Sequence, residues 1–492
     1  LQADCVQSRQ AGFMQCFHSS ATDCIKGEVN DMKKQPHRYM RKTAAGMVAL
    51  SMLCAAAIPC VLAMPAGAAS ASGDLNGNGS VTAADAAILQ TALLGSSKLT
   101  AQQYANADVT GDGAVNGLDL SRLRQMIATV PVSDAIAIHL SNSGITVEGD
   151  TKGVTAVSGK TVTISASGNY TVDGTITDGQ ILVNVADPTA DSDAVSLYLQ
   201  GVTMTSSTGA PCILGQSAGK LKLTCSGINT LTDTAAAVNA DTSGVIYGDC
   251  DITVTKNSTG TLNITSSMNT AIRSKDDIKL NGGNISINTD VDATSDADAI
   301  RANNTLEIDG ASVTVTSSAD GLKSSKEDVS ILSGKVSIKA GNDAVQAATA
   351  LNISGGTVTA SGDRGFTLDE NGVLAITGGD VLATATDYAF GMDSAGTAVT
   401  VDTSGCTQGV VQLDYAAEWK KSNAVTLKKG SSTVFEMTPN KKYTYVLASS
   451  GSLSGSDNCT LYTGGTQMTH DGSDNGTFAM TGILTKFTGV QE

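Results

Sequence analysis

A short apolar step recurs through the second half of this chain and leaves few folds open to it. Ala271-Ile-Arg-Ser, Ala299-Ile-Arg-Ala, Gly321-Leu-Lys-Ser, Ala344-Val-Gln-Ala, Gly365-Phe-Thr-Leu and Ala389-Phe-Gly-Met follow one another at intervals of 28, 22, 23, 21 and 24 residues. After each step come two alternating segments around a glycine turn. Ile278/Leu280, Leu306/Ile308, Val329/Ile331, Leu351/Ile353 and Leu374/Ile376 mark the first; Ile285/Ile287, Val313/Val315, Val336/Ile338, Val358 and Val381 mark the second. Alternation of period two gives each segment one apolar face. Three short strands in about 23 residues, with no helix long enough for a crossover, predict a mainly β parallel β-helix in which every coil pairs with the next. A propeller blade needs four strands and about 40 residues, and a leucine-rich repeat shows a Leu-x-x-Leu frame that is missing here.

Weaker repeats from about 170 to 265 extend the solenoid to roughly nine coils at ~4.8 Å each. Residues 133–170 and 400–492 are the expected caps around 171–399, because a solenoid must cover its ends. Composition agrees: only 4% of residues are aromatic and 52 are Gly, and the background of Thr, Ser, Asn and Asp favours strands and turns over an all-helical fold. A formal net charge of −16 repels phosphate backbones, so nucleic acid is excluded as a partner.

The N-terminal part reads as targeting sequence. Met32, Lys33, Lys34, Arg38, Arg41 and Lys42 precede an apolar run from Ala44 to Ala63, and small residues end at Ala69-Ser70-Ala71. That layout predicts a signal peptide over 32–71, export, and no membrane attachment after cleavage. Residues 1–31 stand ahead of it and are expected to be an untranslated leader. The five later cysteines, Cys212, Cys225, Cys250, Cys406 and Cys459, have no metal-type spacing and are expected as buried small hydrophobes.

Two loops of one template follow. Asp74, Asn76, Asn78, Ser80 and Asp85 recur 34 residues later as Asp108, Thr110, Asp112, Ala114 and Asp119. Oxygen side chains at positions 1, 3, 5, 9 and 12, a Gly at position 6 and a free carbonyl at position 7 form the pattern that wraps Ca²⁺; position 7 is Ser80 or Ala114. Apolar residues then continue at helical spacing, so each loop leads into one helix. This loop-plus-helix pair over 72–132 resembles a type I dockerin, a small all-α module that joins cellulosomal proteins to a cohesin of a scaffoldin. The resemblance implies cohesin contacts at Ala83, Ala84, Gln90 and Thr91 in one repeat and at Gly117, Leu118, Arg124 and Gln125 in the other.

The stretch from Tyr170-Thr-Val-Asp-Gly174 through Val195-Ser-Leu-Tyr-Leu to Thr460-Leu-Tyr-Thr-Gly-Gly465 resembles a clostridial family of carbohydrate-binding proteins. That likeness implies a right-handed, polysaccharide-lyase-like β-helix that binds Ca²⁺, cellulose and polygalacturonate without known cleavage. Asp298, Asp320 and Asp343 precede the steps, predicting a carboxylate column with possible calcium ligands. Arg273, Arg301 and Lys323 occupy the next outward position and are candidates to hold uronate carboxylates. No aromatic residue lies between Gly248 and Gly365, so the middle repeats lack the usual sugar-stacking platform; Trp419, Tyr443 and Tyr445 of the terminal region, with Lys420, Lys421, Lys428, Lys429, Lys441 and Lys442, are candidates for a second, anionic-glycan surface. The expected function is that of an extracellular, cellulosome-associated, non-catalytic binder of plant cell-wall polysaccharide, acidic pectin-type or cellulose. A Ca²⁺-dependent pectate-lyase-type enzyme and a surface adhesion module are the alternatives.

Overall fold

The computed structural model describes residues 73–76, 81, 83–110, 113–127, 135–239, 241–290, 297–393, 395–470 and 475–491. The readings of 1–31 as a leader and 32–71 as a signal peptide lie outside these residues.

Strands dominate, and most pair in parallel with the strand three places later in the chain. In one column Gly244–Gly248, Thr270–Ser274, Ile300–Ala302, Leu322–Ser324 and Asp343–Ala347 pair successively. A second column runs through Asp251–Val254, Ile278–Leu280, Leu306–Ile308 and Val329–Ile331. The third joins Thr203–Ser206, Ile228–Asp233, Thr261–Ser266, Asn284–Asn288, Ser312–Thr316 and Lys335–Lys339. In-register pairing stacks like on like. Ile272, Ile300, Leu322 and Val345 are fully buried one above another, and one continuous apolar cluster extends from Ile138 to Leu447. Each such aliphatic side chain contributes about 1.5–3 kcal/mol on burial.

The repeat length is set at the glycine turns. Gly334 has φ +97°, and a Cβ there would meet the carbonyl oxygen of Ala311 at 2.3 Å. Backbone of neighbouring repeats thus comes too close for any other residue. In the last two repeats the turns at Gly355-Gly356 and Gly378-Gly379 shift the register without ending the strand, so three predicted segments fuse into Ala350–Leu368 and again into Val373–Met392.

Parallel pairing also begins earlier than the repeat pattern indicated. Ile136–Leu140 pairs with Gly168–Thr177, and Thr161–Ile164 with Gln180–Asn184, because both short segments alternate buried aliphatics with polar residues. At the other end Tyr443–Ser450 runs antiparallel to Val373–Met392 and Val410–Trp419. A separate apolar cluster under it includes Leu413, Tyr415, Leu427 and Tyr443.

The N-terminal module contains α1 (Ala83–Leu93), α2 (Ala101–Ala107) and α3 (Gly117–Ile127). Leu75, Ala86, Leu89, Ala107 and Leu123 form its core. The loop-plus-helix reading anticipated α1 and α3 and omitted α2. Its signal was present: Thr100 and Gln103 make a capping box, the Thr100 hydroxyl accepting from the Gln103 amide at 3.2 Å and Gln103 Oε1 from the Thr100 amide at 3.0 Å. Among the described residues no helix is long and apolar enough to cross a membrane. The five described cysteines are buried and free.

Candidate functional site

Parallel register places the outward residue of each step directly beside its equivalents. Tyr247 pairs with Arg273, Arg273 with Arg301, Arg301 with Lys323, and Lys323 with Gln346. Asp298, Asp320 and Asp343 stand three residues ahead of the last three of these and are almost wholly buried. Side-chain atoms i and i+3 meet across the strand entry: Arg301 Nη1 lies 3.5 Å from Asp298 Oδ2, and Lys323 Nζ lies 2.6 Å from Asp320 Oδ2. Where the third step has Gln346 in place of a cation, Arg364 of the next repeat takes over and its Nε donates to Asp343 Oδ1. Backbone amides complete the ladder. Asp320 N donates to Asp298 Oδ1 at 3.2 Å, and Asp343 N to Asp320 Oδ1 at 3.1 Å.

Three like charges so close repel, and the column shows it. Burial first, then the charge of Asp320, pushes the Asp298 carboxyl up to about 6, against the pull of Lys323 and Arg301. Burial likewise raises Asp343, with the Arg364 hydrogen bond opposing. A protein cation therefore stands beside every carboxylate that the sequence offered as a β-sheet calcium ligand, and charge neutralisation does not require a metal there. Among the described residues no group of three or more His, Cys, Asp or Glu side chains is arranged to hold one.

Arg273 differs from its neighbours in the column. Thr270 occupies the position where the following repeats have Asp, so the guanidinium has no carboxylate partner among the described residues. It donates to Ser243 Oγ through Nη1, keeps Nε without a partner, and lies 5.8 Å from the centre of the Tyr247 ring. Lys275 Nζ, paired with Asp249 at 2.8 Å, is 5.7 Å from the same ring. Sequence reasoning missed Tyr247, which stands one residue before the aromatic-free stretch; only register shows that it heads the cation column.

Trp419 is placed elsewhere. It is half-buried and meets Tyr415 edge to face at 6.1 Å, with its strand paired at Tyr443. Its ring packs on the C-terminal core. Lys441 and Lys442 are engaged by Asp363 and Glu418.

In the calcium-type loops the position-12 carboxylates turn inward and bind the loop's own backbone. Asp85 Oδ1 accepts from Leu75 N at 2.8 Å and Asn76 N at 2.9 Å. Asp119 Oδ1 accepts from Thr110 Oγ1 at 2.8 Å, and its Oδ2 from Asn116 N at 2.8 Å. Asp108 Oδ2 accepts from Gly113 N at 2.8 Å. Asp74, Asp85 and Asp119 are at most 1% exposed, and a concentration of buried hard oxygens fits Ca²⁺. Asn78, Ser80 and Asp112 lie outside the described residues. Of the cohesin candidates, Gln90, Thr91, Gly117 and Leu118 are exposed, Leu118 to 66%. The side chains of Ala83, Ala84, Arg124 and Gln125 lie outside the described residues.

A mainly β protein with a calcium-loop module at one end is the class these features define. Comparison with known proteins narrows it. Residues 158–476 match the family described as carbohydrate-binding domain-containing protein, and residues 72–128 match the type I dockerin domain. The chain belongs to that carbohydrate-binding family and carries a type I dockerin. A carbohydrate-binding domain-containing protein of Acetivibrio thermocellus is 35% identical over 139 residues, covering 27% of this chain and 46% of the relative. The chain thus spans about half the length of that relative. A solved structure of a polysaccharide lyase-like protein from C. thermocellum, a gadolinium derivative, matches with 27% identity and a TM-score of 0.41, covering 49% of this chain and 96% of that one.

Proposed function

We propose that this chain is a secreted, cellulosome-associated glycan-binding protein that performs no catalysis. On this reading residues 72–132 bind Ca²⁺ and dock a cohesin. The parallel strand columns of 171–399, capped by 133–170 and 400–492, form a right-handed parallel β-helix that holds acidic plant cell-wall polysaccharide. The observation that carries it is the in-register line of Arg273, Arg301 and Lys323, in which Arg273 is the cation with no carboxylate partner among the described residues. A uronate polymer presents one carboxylate per sugar, and a guanidinium holds such a group by charge-assisted hydrogen bonds.

Two of the cations are unsuited to β-elimination: a Brønsted base must reach the substrate with its proton-accepting nitrogen, whereas Lys323 Nζ and Arg364 Nε are turned into the buried carboxylates of Asp320 and Asp343.

Incubation with polygalacturonate, with and without Ca²⁺, tests this when both retention and unsaturated products are measured. Retention without products is expected; products would make the chain a lyase, and neither would leave adhesion to another ligand. In the same preparation Asp74→Ala with Asp108→Ala should abolish cohesin capture, as chelation of Ca²⁺ should.

A further inference from the structure

The third strand column carries another outer surface. Thr203, Thr230, Asn263, Ser286 and Thr314 stand side by side in one register line. Two residues further along the same strands, Thr205, Thr232, Thr265, Asn288 and Thr316 make a second line. The residues between the lines, from Met204 to Val315, are buried to 2% exposure or less, which fixes the ten side chains outward. No register shift interrupts the five strands, and neither line contains a charge. Among the described residues Asn288 is the only one of the ten whose side chain has a hydrogen bond, from Asp290 N. The surface is a two-column lattice of free hydroxyl and amide groups, interleaved with threonine methyls.

One end of this lattice is already occupied by the chain itself. In the next two repeats the first line continues through Ser337 and Thr359, while the second passes through Lys339, which pairs with Asp290, to Ser361; this ends the uncharged run, and the segment around Asn440 lies across these repeats. Asn440 Nδ2 donates to Ser337 Oγ at 3.2 Å and to the Ile338 carbonyl at 3.0 Å, and Asn440 N donates to Ser361 Oγ at 2.9 Å. The covered end shows that the lattice takes a polar chain through its side-chain hydroxyls.

We propose that the uncovered part of this face docks an ordered, uncharged β-linked glycan whose chain runs along the strand stack. This inference rests on the glycan-binding reading above and assigns the neutral polymer to a face separate from the cation column. Successive strands repeat every ~4.8 Å, close to the length of one sugar ring in an extended β-linked chain. Ring hydroxyls meet the Thr, Ser and Asn groups, and ring C–H faces meet the methyls. An uncharged lattice offers nothing to a uronate and is desolvated at lower cost than a charged one by a neutral partner. Strands locked by a buried core lose little freedom on binding, which favours a rigid, repetitive ligand.

The test uses the full chain with Thr205→Val, Thr232→Val and Thr265→Val combined, which removes three hydroxyls and keeps shape and strand preference. A second variant, Thr232→Tyr, inserts a bulky side chain into the lattice. Depletion isotherms on microcrystalline cellulose, retention on polygalacturonate and thermal unfolding are measured for each. Both variants should lose about tenfold or more in partition to cellulose, with polygalacturonate retention and unfolding unchanged. Unaltered cellulose partition in both variants would overturn the proposal. Wild-type protein that binds polygalacturonate but not cellulose would overturn it and leave the cation column standing. Slowing of ice growth without cellulose binding would replace the glycan by ice as the occupant and equally overturn it.

Discussion

Two outer faces ride on the same stack of strands, and they tolerate repetition to different lengths. On the first column the Asp-to-cation motif holds for three repeats, Asp298 to Asp343, and within it the cation changes from Arg301 to Lys323 and then moves to Arg364 in the following repeat. On the third column the Thr, Ser and Asn lines run unbroken through five strands. In-register stacking sets identical side chains about 4.8 Å apart. Neutral hydroxyls accept that spacing at no electrostatic cost, whereas each added carboxylate repels the last and requires a cation of its own. A stack of parallel strands can therefore carry a hydroxyl lattice without compensation, while a buried charge ladder ends where its compensation ends.

The contrast is broken most severely by removing one cation. Asp343 is fully buried and receives Arg364 on one oxygen, while its other oxygen has no partner. Arg364→Met should cost roughly 3–5 kcal/mol in urea unfolding, and adding Asp343→Leu should recover much of the loss. A loss near zero for the single variant would mean that the column is not held by its own cations.

A smaller effect, with the opposite sign, is expected at Asp298. Its carboxyl is raised to about 6 in the folded chain against the ordinary 3.8. Between those values the folded state binds the proton and the unfolded state does not, so stability falls as pH rises through that window. Asp298→Asn should accordingly stabilise the protein at pH 7.5 by about 1–3 kcal/mol, and the gain should disappear as pH approaches 4. A gain that is independent of pH would detach it from this titration.

The smallest change in stability belongs to Arg273, which has no carboxylate partner among the described residues. Arg273→Gln should move unfolding by less than about 1 kcal/mol. Retention on polygalacturonate should nevertheless fall, and what remains should depend less on salt. Full retention would return Arg273 to a purely packing role over Tyr247.

The strand repeat was legible because its cause is local. Alternating aliphatics at Ile278/Leu280 or Val313/Val315 have a single way to bury one face, and the glycine pairs mark where the chain must turn. The dockerin was equally readable from its two loop motifs, since such a loop sets its oxygen-bearing residues by position in the sequence. The carboxylate and cation columns could also be written down from the spacing of Asp298 and Arg301. Trp419 shows the limit: the rarity of a residue type does not reveal whether its ring faces solvent or, as here, Tyr415.

By itself the sequence determined the repeat, the loop pair and the outward position of each step, all of which depend on residues within a few places of one another. Only the tertiary structure decided which outward residues are neighbours and what each one faces. Register brought Tyr247 beside Arg273, handed Asp343 to Arg364, buried the Asp298 ladder and left the Thr232 lines open. These pairings join residues some 20 to 30 positions apart, and they are fixed by the stacking of buried Ile, Leu and Val side chains beneath them. The outer side chains follow that register and do not choose it, which is why their partners could not be read from their own sequence.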